Sequence, residues 1–296
     1  MEEVDQVLLT RFNVPSAGYE SLVRASDGWL ARRLELFETY CLPSVKHQTE
    51  QRFQWLIYLD PESPAWLIER MEALKQTRPF TMRLRTKVDK VDLMADISHL
   101  FPYPRGKLLS SNLDNDDGLA VDFTARVRKL AQGERHAIYL SNGLIRRGSE
   151  IYLHSDPRNA FCSVLSSWNQ PDTCWADWHD QLGRNMQVVH DDGAPAWLQV
   201  IHGSNVSNRV RGRRVDPSAL RDRFPGLLDD VPAPSGFRLL VDSLILRNQR
   251  YVREYLRTLS KKIIQGIAGR DGTDKIKLWL GSLGIGSRYG ASGRFE

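Results

Sequence analysis

The sequence predicts an α/β fold in which a mostly parallel sheet is flanked by helices. Short apolar runs alternate with helical periodicity over the first 130 residues, the pattern that closes into a parallel sheet. Three of these runs end in polar groups: Thr10-Arg11, Asp60, and Asn112 with Asp114 and Asp116. Open α/β sheets bind their ligands beyond the carboxyl ends of the strands, so these ends converge on one expected site.

Taken in order, Val7-Leu8-Leu9-Thr10 reads as the first strand. Asp27 is placed to cap a helix whose apolar face is Leu30, Leu34, Phe37 and Cys41, and Pro43 is expected to end it. Trp55-Leu56-Ile57-Tyr58-Leu59 is a continuous apolar run, as in a strand buried on both faces. Ser63-Pro64 reads as an N-cap followed by proline at the first helical position, with Leu67, Met71 and Leu74 on the buried side. A third strand is expected over 80–85 and a fourth at Leu108, Leu109 and Leu113. Leu119, Phe123, Val127 and Leu130 then recur at helical spacing. Residues 136–140 read as a strand, and 143–148 as a hairpin toward Ile151-Tyr152-Leu153. A last strand, 196–201, delivers His202.

Beyond residue 215, Pro225-Gly226 and Val231-Pro232-Ala233-Pro234 punctuate a linker. A basic amphipathic helix is predicted over 236–267, and the glycine- and serine-rich end from Gly281 is expected to be disordered. The expected organisation is a domain over 1–215, a helical basic extension over 216–280 and a tail over 281–296.

A hydrophobic share of 41% and a charged share of 26% suit a globular chain with a substantial core. The first residues, MEEVDQ, are acidic and lack the apolar core of a secretory signal, and no run reaches the length of a membrane span. Cys41, Cys162 and Cys174 are scattered, without metal spacing, which points to a reducing compartment, the cytoplasm. The net charge of +5 is concentrated in two clusters. One holds Arg209, Arg211, Arg213 and Arg214; the other runs from Arg247 through Arg250, Arg253 and Arg257 to Lys261 and Lys262. Such clusters suit a diphosphate, anionic lipid head groups or nucleic acid, or else a solvated helix face.

Asp114-Asn115-Asp116-Asp117-Gly118 is the densest chemistry in the chain. Carboxylates this close repel one another unless something positive sits among them. Mg²⁺ typically takes one or two carboxylates together with substrate phosphates, so an Asp-x-Asp at a strand end is a candidate holder of a metal–diphosphate. An EF-hand register fails: with Gly118 as sixth residue, the first and twelfth would be Leu113 and Thr124 rather than acids. A purely capping role for the acids is the competing structural reading, and Asp117 is the one expected to cap the helix. From 156 to 208 the chain is rich in Trp, His and Asp, including Trp168, Trp175, Trp178 and Trp197. Aromatic faces cover the apolar faces of sugar rings, so at least one of these is expected to face a ligand.

Together these residues resemble a bacterial family assigned as rhamnosyltransferases with the GT-A glycosyltransferase fold. The resemblance rests on Thr10-Arg11-Phe12-Asn13, the run from Trp55 to Asp60, Leu113-Asp114-Asn115-Asp116-Asp117-Gly118-Leu119, and Trp197 to Gly203 with Asn205, Ser207 and Asn208. It implies a mostly parallel, Rossmann-like sheet and transfer of a sugar, rhamnose on the family's assignment, from a nucleoside-diphosphate donor to a glycan or lipid-linked acceptor. It implies Mg²⁺ or Mn²⁺ held by Asp114 and Asp116, with His202 completing the site. Thr10, Arg11 and Asp60 match positions that grip the nucleotide, and Asn112, Asn115, Asp117, Asn205 and Arg209 are the further expected donor contacts. Where the family has Thr-Arg before Leu113, this chain has Ser111-Asn112, and Ser166-Ser167 stands where an acid is expected.

The acceptor's proton needs a base. The candidates are Asp192 first, then Asp191 and His179. Arg209 and Arg211 are expected to assist the diphosphate. The basic helix is expected either to rest on an anionic membrane or to pack on the catalytic domain. No nucleic-acid partner is expected. Two other readings stay open from the residues: a metal-dependent phosphoryl-transfer or nuclease enzyme, and a carbohydrate-binding module without catalysis.

Overall fold

The computed structural model describes residues 3–15, 28–202 and 209–252. Its centre is a seven-stranded sheet. The strands are β1 (Val4–Arg11), β2 (Gln54–Leu59), β3 (Thr81–Leu84), β4 (Lys107–Asn112), β6 (His136–Leu140), β9 (Ser163–Ser167) and β10 (Gln187–Asp191), in the order β10-β6-β9-β4-β1-β2-β3. Strands β3, β2, β1 and β4 run parallel, as do β6 and β10. Strand β9 is antiparallel to both its neighbours, β4 and β6. The α/β class and the helix-flanked, mostly parallel sheet expected from the apolar runs are therefore present.

The first strands form where expected because their runs are apolar on both faces: Leu8 and Leu9 in β1 and Leu56 and Ile57 in β2 are fully buried. Strand β9 is another matter. Its Ser163 and Ser166 are buried, as are Ser110 and Ser111 of β4. They tolerate burial because the hydroxyls find partners: Ser111 Oγ lies 2.7 Å from Ser163 Oγ, and Ser166 Oγ donates to the Asp172 carbonyl at 2.9 Å. Ser166 thus works inside the sheet.

Two corrections concern helices. Pro43 does not end the first helix. Helix α1 (Trp29–Leu36) passes through a π turn at Phe37–Cys41 into α2 (Leu42–Lys46), which has the proline in its first turn. The ring needs no amide hydrogen there, so the helical path continues. Asp27, its expected cap, lies outside the described residues. Nor does a helix begin at the acids. After them comes a short strand, β5 (Gly118–Leu119), and α5 (Phe123–Leu130) starts only afterwards. Helix α3 (Ala65–Leu74) matches its expectation to within a residue, and α4 (Lys90–Leu100), capped by Asp89, was not expected.

A second, five-stranded sheet holds β5, the hairpin β7 (Asn142–Arg147) and β8 (Glu150–Ser155), β11 (Trp197–Ile201) and β12 (Arg213–Arg214), in the order β12-β8-β7-β11-β5. The acidic turn 114–117 therefore joins β4 of one sheet to β5 of the other. Beyond residue 215, Phe224, Leu227, Leu228 and Val231 are buried against Ala120 and against Leu144, Ile151 and Leu198 of the second sheet. Helix α6 (Gly236–Val241) and a further π turn, Asp242–Leu246, follow, and the described helical path reaches residue 252. The expected tail lies outside the described residues.

Candidate active site

A cleft of about 800 Å³ opens beyond the carboxyl ends of β1 and β4. Arg11 enters from β1, and Asn112 and Asp114 from the end of β4. His154 and Asp156 come from the end of β8, Trp197 and Gln199 from β11, and Arg209 and Arg211 from the segment before β12. Loop residues Trp175, Asp177, Trp178, His179 and Asp180 close the other side. This is the size and polarity of a small-molecule site rather than a surface dimple.

Each of the three clustered acids has a different environment. Asp114 is exposed to the cleft, and Asn112 Nδ2 donates to its Oδ1 at 3.3 Å. Desolvation by the surrounding protein and the neighbouring Asp116 charge raise its carboxyl above the usual range. Asp116 is buried, with Arg33 Nη1 at 2.6 Å and His202 Nε2 at 2.8 Å from its Oδ2. Burial opposes its charge, but the His202 hydrogen bond and Arg33 outweigh that and hold its carboxyl below the usual range. Asp117 is fully enclosed and accepts from the Val200 amide in β11 at 2.8 Å. Desolvation, then Asp116 and Asp114, push its carboxyl well up. It fastens the turn to the second sheet and caps no helix.

Other expected contacts divide sharply. Arg11 lines the cleft, its guanidinium 4.1 Å from the ring centroid of Trp175, whose indole nitrogen donates to Asn112 Oδ1 at 2.7 Å. Arg209 also lines it. Thr10, by contrast, is wholly buried and accepts from the Trp55 indole at 3.0 Å, so its side chain holds β1 against β2. Asp60 closes a local turn, accepting from the Glu62 amide at 2.9 Å, and is not part of the cleft wall. Asn115 is buried between Arg33 and the Phe12 carbonyl. Asn205, Ser207 and Asn208 lie outside the described residues.

Two of the three base candidates lie off the cleft wall. Asp191 accepts two bonds from Arg126, at 3.0 and 3.1 Å, and one from the Gly193 amide at 2.8 Å. Asp192 is exposed on the following loop, and neither residue reaches the cleft wall. The strand carrying them, β10, lies at the far edge of the first sheet, beyond β6. His179 does line the cleft, and its positive form would act favourably on Asp114. The Tyr139 hydroxyl fixes its backbone by donating to the His179 carbonyl.

Sequence reasoning missed Arg33, which pairs with an acid far along the chain and carries no local motif. It also missed the packing of the tryptophans. Trp175, Trp178 and Trp197 all line the cleft, whereas Trp168 is bonded to Asp5. Trp178 is 73% exposed at the rim. Trp197 lies flat on Phe161, with centroids 5.1 Å apart, and its indole donates to the Leu140 carbonyl at 2.9 Å. Only a glycine fits behind that ring: a Cβ at Gly143 would stand 2.0 Å from Trp197 Cδ2. Gly143→Ala is therefore expected to cost about 1–3 kcal/mol, as overpacking does, and to displace the Trp197 wall; urea titration and near-ultraviolet circular dichroism read both effects.

A polar cleft at the carboxyl edge of a largely parallel sheet, with an acidic strand end facing arginines, has the form of an α/β enzyme site. Residues 5–214 match the family described as "Putative rhamnosyl transferase", and the chain belongs to that glycosyltransferase family. No functionally curated protein matches the sequence. Among solved structures, S. aureus TarS 1–349 is 7% identical, over 66% of this chain and 60% of its own, with a TM-score of 0.38. A protein from Desulfovibrio desulfuricans G20 described as a "putative nucleotide-diphospho-sugar transferase" is 9% identical, over 77% and 93%, with a TM-score of 0.37. The inositol-1-phosphate CTP transferase of T. maritima is 11% identical, over 79% and 100%, with a TM-score of 0.34. The chain spans about three fifths of the TarS 1–349 structure.

Proposed function

We propose that this protein is a GT-A-like transferase that moves a sugar, rhamnose on the family's description, from a nucleoside diphosphate to a glycan or lipid-linked hydroxyl. The observation that carries the reading is the cleft itself. Asp114 shares its wall with Arg11, Arg209, Arg211 and the exposed indole of Trp178.

A Mg²⁺ or Mn²⁺ ion fits the donor set on charge. Three carboxylates crowd together, two of them driven toward protonation, and Arg33 pairs with Asp116. Among the described residues no group of three or more His, Cys, Asp and Glu side chains is placed to hold an ion. Mg²⁺ typically uses one or two carboxylates and takes its remaining oxygens from phosphate and water. Asp114 and Asp116 would hold the ion, and His202, bonded to Asp116, would orient that carboxylate. Such an ion, when bound, offsets charge on a departing diphosphate.

The chain's own groups do the rest. Arg11, Arg209 and Arg211 offer charge-assisted bonds to the diphosphate. Trp175 keeps Asn112 and Arg11 in register with Asp114. His179 takes the proton of the acceptor hydroxyl, with Tyr139 holding its backbone in place. Sugar faces pack on Trp178. The three cysteines are buried thiols, compatible with a reducing cytoplasm, and no described helix is long and apolar enough to cross a membrane.

Thermal shift against a panel of nucleotide sugars, with and without Mn²⁺, tests the reading. One nucleoside diphosphate should stabilise the protein in a metal-dependent way, and glycan acceptors should then receive the labelled sugar. No stabilisation by any donor sinks the proposal. His179→Ala is expected to lower kcat by about 10²–10⁴-fold with donor affinity unchanged. A single-turnover assay checks it, and an unaltered rate moves the base elsewhere, to Asp156 or Asp177.

A further inference from the structure

The helical segment 236–252 is docked with its polar side inward. Asp242 is 2% exposed; it accepts from the Arg214 amide at 2.9 Å and from both terminal nitrogens of Arg250, at 2.7 and 2.9 Å. Arg250 also donates to the Gly212 carbonyl at 3.1 Å and lies 4.9 Å from the centroid of the Tyr152 ring. The Arg214 amide and the Tyr152 ring, gripped by the Asp242–Arg250 pair, thus fasten the helix to β12 and β8. Its other side faces water with Phe237, Leu240, Leu244, Ile245, Tyr251 and Val252, each more than half exposed. Seven of the twelve exposed large hydrophobic side chains among the described residues fall in this segment, so the patch is not scatter. An ordinary surface helix has the opposite arrangement.

Charge decides what covers the patch. Arg238 and Arg247 are exposed on the same segment, while its one acid, Asp242, is buried and paired with Arg250. Two copies face to face would set these arginines against like charge. An anionic bilayer offers hydrocarbon for the apolar side chains and negative headgroups for the arginines, whose stems can reach up to them. We propose that the apolar side of residues 236–252 lies in the interface of an anionic phospholipid bilayer. Strand β8, which carries the helix, ends in His154 and Asp156 of the cleft wall, and β12 follows Arg209 and Arg211. The docking helix and the cleft therefore share two strands. Resting on the transferase reading, this placement names the acceptor class as a lipid-linked glycan presented at the membrane surface.

Vesicle sedimentation of the full chain, without donor, tests the surface independently of the chemistry. The protein should pellet with phosphatidylcholine vesicles containing about one third phosphatidylglycerol and stay in solution with phosphatidylcholine alone. Phe237→Ser/Leu244→Ser/Tyr251→Ser should weaken binding by about tenfold or more, with donor-induced thermal shift unchanged. Because the native thiols are buried, Leu244→Cys accepts an environment-sensitive dye selectively, and its emission should rise on the anionic vesicles. Absent sedimentation, a silent dye, or a dimer in light scattering that the triple variant turns into monomer would each overturn the proposal. Donor binding in the thermal shift is unaffected by any of these results and reports on the transferase reading separately.

Discussion

Asp114→Asn is expected to reduce sugar transfer by about two to three orders of magnitude, the scale of losing one preorganised electrostatic partner in a site. The substitution is close to isosteric and sits at the mouth of the cleft, so the melting temperature should hardly change. It also lifts a carboxyl whose charged form the surroundings disfavour, which leaves Asp116 and Asp117 less crowded. Steady-state kinetics over a range of Mn²⁺ concentrations is the measurement. The variant should need far more metal for the little activity it retains. Wild-type turnover at wild-type metal concentrations would remove Asp114 from the chemistry.

Asp116→Ala is expected to fail differently. Arg33 and His202 both lose the Asp116 carboxylate, and the Arg33 guanidinium is left largely buried without that counter-charge. Breaking a buried pair from one side typically costs about 3–5 kcal/mol, so denaturant midpoints should fall steeply along with activity. Asp116→Ala/Arg33→Leu should recover much of that stability and none of the turnover. If the double variant is no more stable than the single one, the Arg33–Asp116 pair does not carry the cost. The contrast between the two aspartates matters for any test of the motif: only Asp114 can be altered without also disturbing the fold.

The strands legible in the sequence are β1, β2, β6 and β11, whose burial is written in apolar residues, together with β3, β4 and the β7–β8 hairpin. Strand β9 was hidden because it is lined with serines, and a serine declares its partner only when the opposite strand is in place. Helix α4 was hidden for a similar reason: Asp96 is buried on it, accepting from Tyr58, Arg83 and Arg85, so the helix carries a charge on its inner side. At the site, the acidic strand end and Arg11 were readable because a strand's carboxyl end is a fixed place in an α/β sheet. Thr10 and Asp60 share that address but face into the protein or into a local turn. That Asp191 and Asp192 lie off the cleft wall was hidden because strand order cannot be read from chain order: β10 lies at the sheet's edge. Arg33 was illegible altogether, since nothing within its own helix marks it.

The position of the acidic turn between two sheets has a bearing on precision. Four residues span the seam, one carboxylate held from each direction: Asp117 by β11, Asp116 by α1 and the residue after β11, while Asp114 alone is left to the cleft. The spacing of the working oxygens is therefore set by how two independent layers register against each other. The motif serves as a ruler between the layers, and the accuracy of the chemistry is inherited from the alignment of the whole domain.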